Sequence, residues 1–170
     1  MFRAVSSDIG FLMNLRVIIE TFRRNVTDHY FDLQGRVSRQ EFWRFVLVCV
    51  VIYFIAFIVE EIIRRRLLTP VIGLALLLPI AGLGARRLQD TGRNGMLIWA
   101  YSIPTAILEL VSLAGAYGPN GMSVSLYSIF MLACLVWLVA AIAFAWLWAQ
   151  PGTAGINAYG PDPKAAIAAA

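Results

Sequence analysis

The stretch from residue 85 to residue 95 decides how the rest of the chain is interpreted, and it reads Ala85-Arg86-Arg87-Leu88-Gln89-Asp90-Thr91-Gly92-Arg93-Asn94-Gly95. Three arginines, one aspartate and two glycines lie here between two long apolar runs. Such a dense group of charges beside apolar runs is typical of a loop at a membrane boundary. We therefore expect recognition on the inner face of the protein to involve this stretch.

The composition of the whole chain indicates a membrane protein. Of its 170 residues, 60% are hydrophobic and 14% are charged, and the mean hydropathy is +0.74. A soluble domain is about half apolar and about a quarter charged. The net charge of +4 comes from arginines that flank the apolar runs, so it fits membrane topology and anionic headgroups better than nucleic acid.

Four apolar segments predict an all-α, polytopic membrane fold with four transmembrane helices. The expected spans are residues 41–63, 67–85, 96–115 and 124–149. A capping box, Ser38 with Glu41, places the start of the first helix at Arg39. Pro79 and Pro104 lie inside the second and third spans, where they should kink the helices, and Pro79 should also free a backbone carbonyl.

The segments around the spans complete a three-part organisation. Residues 1–35 mix apolar and charged side chains at spacings of three and four, which predicts an N-terminal amphipathic interfacial helix. A short soluble helix packed on a partner is the alternative. Residues 36–150 are the expected four-helix transmembrane domain. Residues 151–170 are rich in glycine and proline near their start, which predicts a cytoplasmic tail that is ordered only by contact with another part or partner.

The distribution of basic residues predicts the orientation of the chain. With four spans, the N-terminal part of the chain up to Arg44, the loop at residues 86–93 and the tail share one side, and together they hold eleven of the fourteen basic residues. The other side holds Arg64, Arg65 and Arg66. The positive-inside rule then places both termini in the cytoplasm.

Four short blocks form a recognisable pattern. They are Tyr30-Phe31-Asp32 with Gly35-Arg36-Val37-Ser38-Arg39-Gln40-Glu41-Phe42-Trp43, Leu78-Pro79 with residues 86–95, Ile103-Pro104, and residues 151–163 from Pro151-Gly152-Thr153 to Tyr159-Gly160-Pro161-Asp162-Pro163. In this order they resemble the domain-of-unknown-function 805 family, the YhaH-like bacterial inner-membrane proteins. The resemblance implies a multi-pass protein of the bacterial inner (cytoplasmic) membrane, and it implies no settled activity. Gln89 replaces the family's usual histidine and Asn94 its usual serine, so a mechanism that needs that histidine is not expected here.

The charges of the predicted inner face form the candidate lipid or partner site, which consists of Arg36, Arg39, Arg86, Arg87, Asp90 and Arg93. Asp90 follows Arg86 by four residues and Arg87 by three, so either arginine can pair with it on a helix. An exposed pair of this kind contributes only a few tenths of a kcal/mol. Two interpretations remain open. In the first, which we favour, these charged residues anchor the topology and tie helix ends together. In the second, forked guanidiniums hold an anionic headgroup or phosphate.

Glu109 lies inside a predicted span and is a functional candidate for that reason, although an ion pair with the triplet at residues 64–66 fits equally well. His29 is the only histidine, and Cys49 and Cys134 fall in apolar runs, so no metal site, cofactor or disulfide is expected. The chain contains no nucleophile elbow, phosphate loop or pair of carboxylates. We therefore do not expect an enzyme.

These observations predict an integral inner-membrane protein that acts as a binding or assembly component. Its arginine-rich cytoplasmic face is expected to contact anionic lipid or a partner protein. The expected partners are membrane lipids, a second copy of the chain or another membrane protein, and no nucleic acid. The alternative is a small transporter or channel subunit that uses Glu109, although four spans without a visible inverted repeat would have to oligomerise to form a path.

Overall fold

The computed structural model describes residues 2–64, 67–117 and 123–168 and shows a helical protein. Within these ranges the α-helices are α1 Phe2–Thr27, α2 Arg39–Ile63, α3 Leu68–Asp90, α4 Trp99–Tyr117, α5 Val124–Ala149 and α6 Pro163–Ala168. A short 3₁₀ helix, Gly95–Ile98, leads into α4. The described part contains no β-strand, only an isolated bridge between Asn157 and Gly160. The run Tyr117-Gly118-Pro119-Asn120-Gly121 predicts a turn at residues 116–123, and this loop lies mostly outside the described residues.

Four helices are long and apolar enough to cross a membrane. They cover Arg39–Ile63, Leu68–Asp90, Gly95–Ala114 and Leu126–Ala149, with hydropathies between 1.6 and 2.7. Many of their large apolar side chains point outward, and Val139 of α5, for example, is 65% exposed. A hydrocarbon environment solvates such side chains, whereas water would not. The predicted all-α, four-span fold is confirmed.

The capping box predicted from the sequence sets the start of α2. The hydroxyl of Ser38 accepts the Glu41 N–H at 3.3 Å, and the helix begins at Arg39 as expected. The Glu41 carboxylate does not complete the box by turning back to the backbone of Ser38, because it pairs with Arg24 of α1. The fold therefore uses this side chain to join α1 to α2.

Helix α3 is the central element and packs against α1, α2, α4 and α5. The predicted span ended at residue 85, but α3 continues to Asp90 and every residue from 81 to 90 is buried. The predicted end was wrong because charge was taken as the edge of the span. Other segments of the chain cover Arg86 and Arg87 instead, so the helix can carry both arginines into the protein interior.

A glycine ends α3. Gly92 has a φ of +77°, a left-handed conformation that glycine adopts without a steric penalty. Its N–H donates to the Gln89 carbonyl at 3.0 Å, and the Arg93 N–H donates to the Leu88 carbonyl at 3.0 Å. These two bonds are the Schellman pattern, which satisfies the last carbonyls of a helix.

The segment between α1 and α2 packs along α3. Pro79 has no N–H, so the carbonyl of Ala75, four residues earlier, lacks its helical donor. The hydroxyl of Tyr30 donates to that carbonyl at 2.8 Å. Further along the helix, a side chain at Gly82 would come within 3.0 Å of the Asp32 carbonyl oxygen. The freed carbonyl was predicted, and its partner comes from a segment that the sequence placed at the membrane surface.

Candidate functional site

The candidate site lies where the start of α2, the end of α3 and the end of α5 meet. Asp90, the last residue of α3, is 3% exposed. Its Oδ1 accepts the Arg36 Nε–H at 3.0 Å, and its Oδ2 pairs with the Arg87 guanidinium. The side chains of these three residues are at most 4% exposed. We call Arg36, Arg87 and Asp90 the inner-end clasp and this end of the helices the inner end, after the orientation predicted from the sequence.

Arg87 fastens the end of α5 to α3. Its Nε donates to the Trp148 carbonyl at 2.8 Å, and a terminal nitrogen donates to the Gln150 carbonyl. The last carbonyls of a helix have no intrahelical donor and carry partial negative charge. A guanidinium at this position therefore both satisfies these acceptors and complements their charge.

Arg36 holds the tail that follows α5. One terminal nitrogen donates to the carbonyls of Gly155, at 2.5 Å, and Gly160, at 3.2 Å. The other donates to the Thr153 carbonyl at 2.5 Å. Because Arg36 also bonds Asp90, one side chain connects the start of α2, the end of α3 and the tail.

Backbone contacts place the tail directly against α3. The Thr153 N–H donates to the Asp90 carbonyl at 2.8 Å, and the Asn157 amide donates to the Gln89 carbonyl at 3.0 Å. Gly152 makes this approach possible, because a Cβ there would lie 2.8 Å from the Asp90 carboxyl carbon. The tail is thus ordered by contact with the helix end, as its composition predicted.

The tail itself turns back near its end. Asp162 accepts hydrogen bonds from the N–H groups of Lys164, at 2.9 Å, and Gly155, at 3.4 Å. The bond from Lys164 is the main cause of the lowered pKa of this carboxyl group, and Gly155 and Arg36 add to it. The segment then enters the short helix α6, Pro163–Ala168.

Arg86 and Gln89 face the segments that precede α2. Arg86 donates to the Asn25 side-chain oxygen at 2.8 Å and does not pair with Asp90. Gln89 donates to the Leu33 carbonyl at 2.8 Å, and its side chain lies against Gly95, where a Cβ would come within 3.0 Å of the Gln89 amide carbon. Among the residues that the structure describes, the Arg86 Nε and the Gln89 Oε1 are buried without a hydrogen-bond partner. Gln89 therefore helps to pack the end of α3 against the segment that precedes α2 and against Gly95.

The two remaining members of the predicted set lie at the surface. Arg39 is exposed, and within the described ranges its guanidinium makes one hydrogen bond, a long one of 3.5 Å to the Ala149 carbonyl. Arg93 is partly exposed, and its guanidinium has no hydrogen bond or ion pair within the described part of the chain. The six predicted residues therefore form a buried group and a surface pair, and not a single pocket.

Glu109 lies apart from the inner end. Its Oε1 accepts the Tyr53 hydroxyl of α2 at 2.7 Å, directly over Gly73 of α3. Arg64 is not its partner, and Arg65 and Arg66 lie outside the described residues. The sequence did not predict Tyr53 and Gly73 as neighbours of Glu109, because a tyrosine and a glycine are common in apolar runs.

The fold and the inner-end contacts define a class: a small helical membrane protein with four spans, whose two terminal segments are joined at one end. A family model described as a protein of unknown function (DUF805) matches residues 30–161, and the chain belongs to this family. The family predicted from the four sequence blocks is confirmed.

Two relatives from Escherichia coli (strain K12) extend the comparison. The chain is 29% identical to inner membrane protein YhaI over 142 residues, which cover 82% of this chain and 92% of the relative. It is 26% identical to inner membrane protein YhaH over 145 residues, which cover 82% and 93%. No solved structure matches the chain. The protein is thus a multi-pass protein of the inner membrane.

Proposed function

We propose that this protein is a binding or assembly component of the inner membrane whose cytoplasmic face holds anionic lipid headgroups through Arg39 and Arg93. The proposal rests on one observation, the difference in burial and hydrogen bonding between two pairs of arginines. The side chains of Arg36 and Arg87 are buried and donate to acceptors of the protein itself, whereas Arg39 and Arg93 keep free donors at the same end of the described structure.

Charge and geometry favour a phosphate ligand for this pair. A guanidinium presents a planar fork of N–H donors that matches two phosphate oxygens. Each basic residue near an anionic membrane surface contributes about 1 kcal/mol of binding. For Arg36 or Arg87, a phosphate would first have to displace several carbonyl and carboxylate partners, so these residues serve the fold.

The proposed orientation has both termini in the cytoplasm. The chain up to Arg44, residues 86–93 and the tail meet at the inner-end clasp, and these three regions carry eleven of the fourteen basic residues. Such an excess of arginine is retained on the cytoplasmic side. The amphipathic α1, with exposed Arg16 and Val17, is proposed to lie on that surface.

Native mass spectrometry from a mild detergent tests the lipid site. We expect the wild type to retain cardiolipin or phosphatidylglycerol adducts, and the Arg39→Gln/Arg93→Gln variant to lose most of them. Arg64→Gln, at the opposite end of α2, is the matched control and should bind lipid like the wild type. Equal adducts in all three proteins would reject the lipid site. Retention of a co-purifying membrane protein or of a second copy through these arginines would indicate a protein partner instead.

The second candidate function, a small transporter or channel subunit, rests on Glu109. This residue lines a cavity of about 670 Å³ between the helices. Trp148 lines this cavity, and its ring packs on that of Phe42 with the centroids 4.9 Å apart, beside the contact of Arg87 that ties α5 to α3. Such packing closes the space between the helices at this point, which favours a binding cavity over an open pathway across the membrane. Substrate flux in proteoliposomes that disappears in Glu109→Gln would favour transport.

A further inference from the structure

The cavity between α2, α3, α4 and α5 has a defined opening. Val50 of α2 and Leu138 of α5 both line it, and they are 58% and 50% exposed. Because each of these side chains faces the cavity and the outer surface, the cavity opens sideways between α2 and α5. Both helices are membrane spans, so the opening faces the hydrocarbon of the bilayer and admits molecules that partition there.

One carboxylate lies in this mostly apolar space. Glu109 is the only acidic or basic residue among the cavity-lining residues that the structure describes. Its Oε1 accepts the Tyr53 hydroxyl, while its Oε2 has no hydrogen-bond partner in the described part. Gly73 provides the room, because a Cβ at this position would lie 2.6 Å from the Glu109 carboxyl carbon.

Aromatic rings form the wall next to the carboxylate. The Tyr101 ring lies 5.7 Å from the ring of Trp137 and 5.3 Å from that of Trp148, measured between centroids. The Trp137 N–H donates to the Thr105 hydroxyl at 2.9 Å, so the polar edge of this indole is satisfied within the protein. Aromatic faces attract cations through the ring quadrupole, and tryptophan does so best.

We propose that this cavity binds an amphiphilic organic cation, with its ammonium group at the free oxygen of Glu109 beside the Tyr101 and Trp137 rings, and its apolar body in the rest of the cavity. A neutral lipid chain would fill the apolar volume but would leave the second oxygen of Glu109 without a polar partner, which is costly. An organic cation satisfies the acid and the aromatic wall together. This inference goes beyond the headgroup function, and neither that function nor transport is required for it.

Isothermal titration calorimetry on the full chain in a non-ionic detergent tests the proposal. The probes are 1-adamantanamine, which is an ammonium ion at neutral pH, and its neutral counterpart 1-adamantanol. The variant is Glu109→Gln, which removes the charge and keeps an oxygen that can accept the Tyr53 hydroxyl. We expect the amine to bind the wild type saturably and to bind the variant at least about tenfold more weakly, since hydrogen bonds to charged groups are the strong ones. The alcohol should bind both proteins alike.

Three results would overturn the proposal: no saturable binding of the amine to the wild type, equal affinity of the amine for Glu109→Gln, or equal affinity of amine and alcohol for the wild type. Val50→Trp provides a second variant that leaves the acid intact and changes a side chain facing the lipid. It narrows the opening, so amine binding should weaken. Unchanged binding would place the amine elsewhere on the protein. The assay measures equilibrium binding without headgroup lipid or flux, so its outcome is separate from the tests of both candidate functions.

Discussion

Asp90 places a single carboxylate between two buried guanidiniums, and its replacement by asparagine is the most informative change at the scale of a residue. Asp90→Asn keeps the size of the side chain but leaves Arg36 and Arg87 without their negative partner. Breaking a buried ion pair by removing one partner costs about 3–5 kcal/mol. We expect a loss of this order in the free energy of unfolding, measured by SDS titration in mixed micelles.

An exposed ion pair provides the control for this change. Glu20 and Arg23 pair on the surface of α1 with side chains 62% and 61% exposed, and surface pairs contribute little. Glu20→Gln should therefore unfold like the wild type. If Asp90→Asn were also as stable as the wild type, the clasp would not hold the inner end together.

Spacing along the helix predicted only part of this arrangement. The ion pair of Arg87 and Asp90, three residues apart, was predicted as one of two possible pairs. It is buried, so the few tenths of a kcal/mol expected for an exposed pair do not apply to it. Arg86, four residues from Asp90, bonds to Asn25 instead. The third member of the clasp, Arg36, lies 54 residues away from Asp90. Spacing carries information about one helix, whereas partners from other segments depend on the packing of the whole chain.

At the scale of an element, the tail provides the clearest test, because contacts and not regular secondary structure hold residues 151–162. Gly152→Ala would push a methyl group into the Asp90 carboxyl group and lift the tail from α3. We expect the Thr153 N–H, which bonds the Asp90 carbonyl, to exchange with deuterium about tenfold faster, which corresponds to about 1.4 kcal/mol.

The neighbouring exposed residue provides a matched control for the tail. Ala154 lies on the surface of the same segment, so Ala154→Ser should leave the exchange of Thr153 unchanged. If the Thr153 N–H exchanged as slowly in Gly152→Ala as in the wild type, the tail would tolerate a side chain at residue 152. The close approach to Asp90 would then not be what orders the tail.

The ends of the elements were predictable where the local sequence determines them. Ser38 caps α2 by itself, and the start at Arg39 follows from neighbouring residues. The end of α3 depends on Gly92 and on the burial of two arginines by other segments, so a rule that ends a span at the first charge stopped five residues early. At the other end of α3, the Thr69 N–H and hydroxyl are bonded by the buried Glu60 of α2. The hydropathy patterns of α2 and α3 do not predict this contact.

At the scale of the whole molecule, hydropathy was sufficient for the number of spans, because each span must satisfy its backbone internally and present apolar side chains to lipid. Hydropathy does not reveal that α2 and α5 enclose a cavity with Glu109 in its wall. Nor does it reveal that both terminal segments join α3 at one end. These features depend on tertiary contacts between side chains far apart in the sequence.

Cysteine labelling in intact and permeabilised cells measures the central claim, that the N-terminal segment and the tail share one face and that this face is cytoplasmic. Gln34→Cys and Ala158→Cys probe the two segments, and Arg64→Cys probes the opposite end; all three positions are exposed. The wild type sets the background, because Cys49 and Cys134 lie within the spans.

A membrane-impermeant maleimide should label Arg64→Cys from outside intact spheroplasts, because this position is expected on the outer face. It should label Gln34→Cys and Ala158→Cys only after permeabilisation. Labelling of residues 34 and 158 from opposite sides would contradict the joined inner end, and labelling of both from outside would contradict the cytoplasmic orientation on which the proposed headgroup site depends.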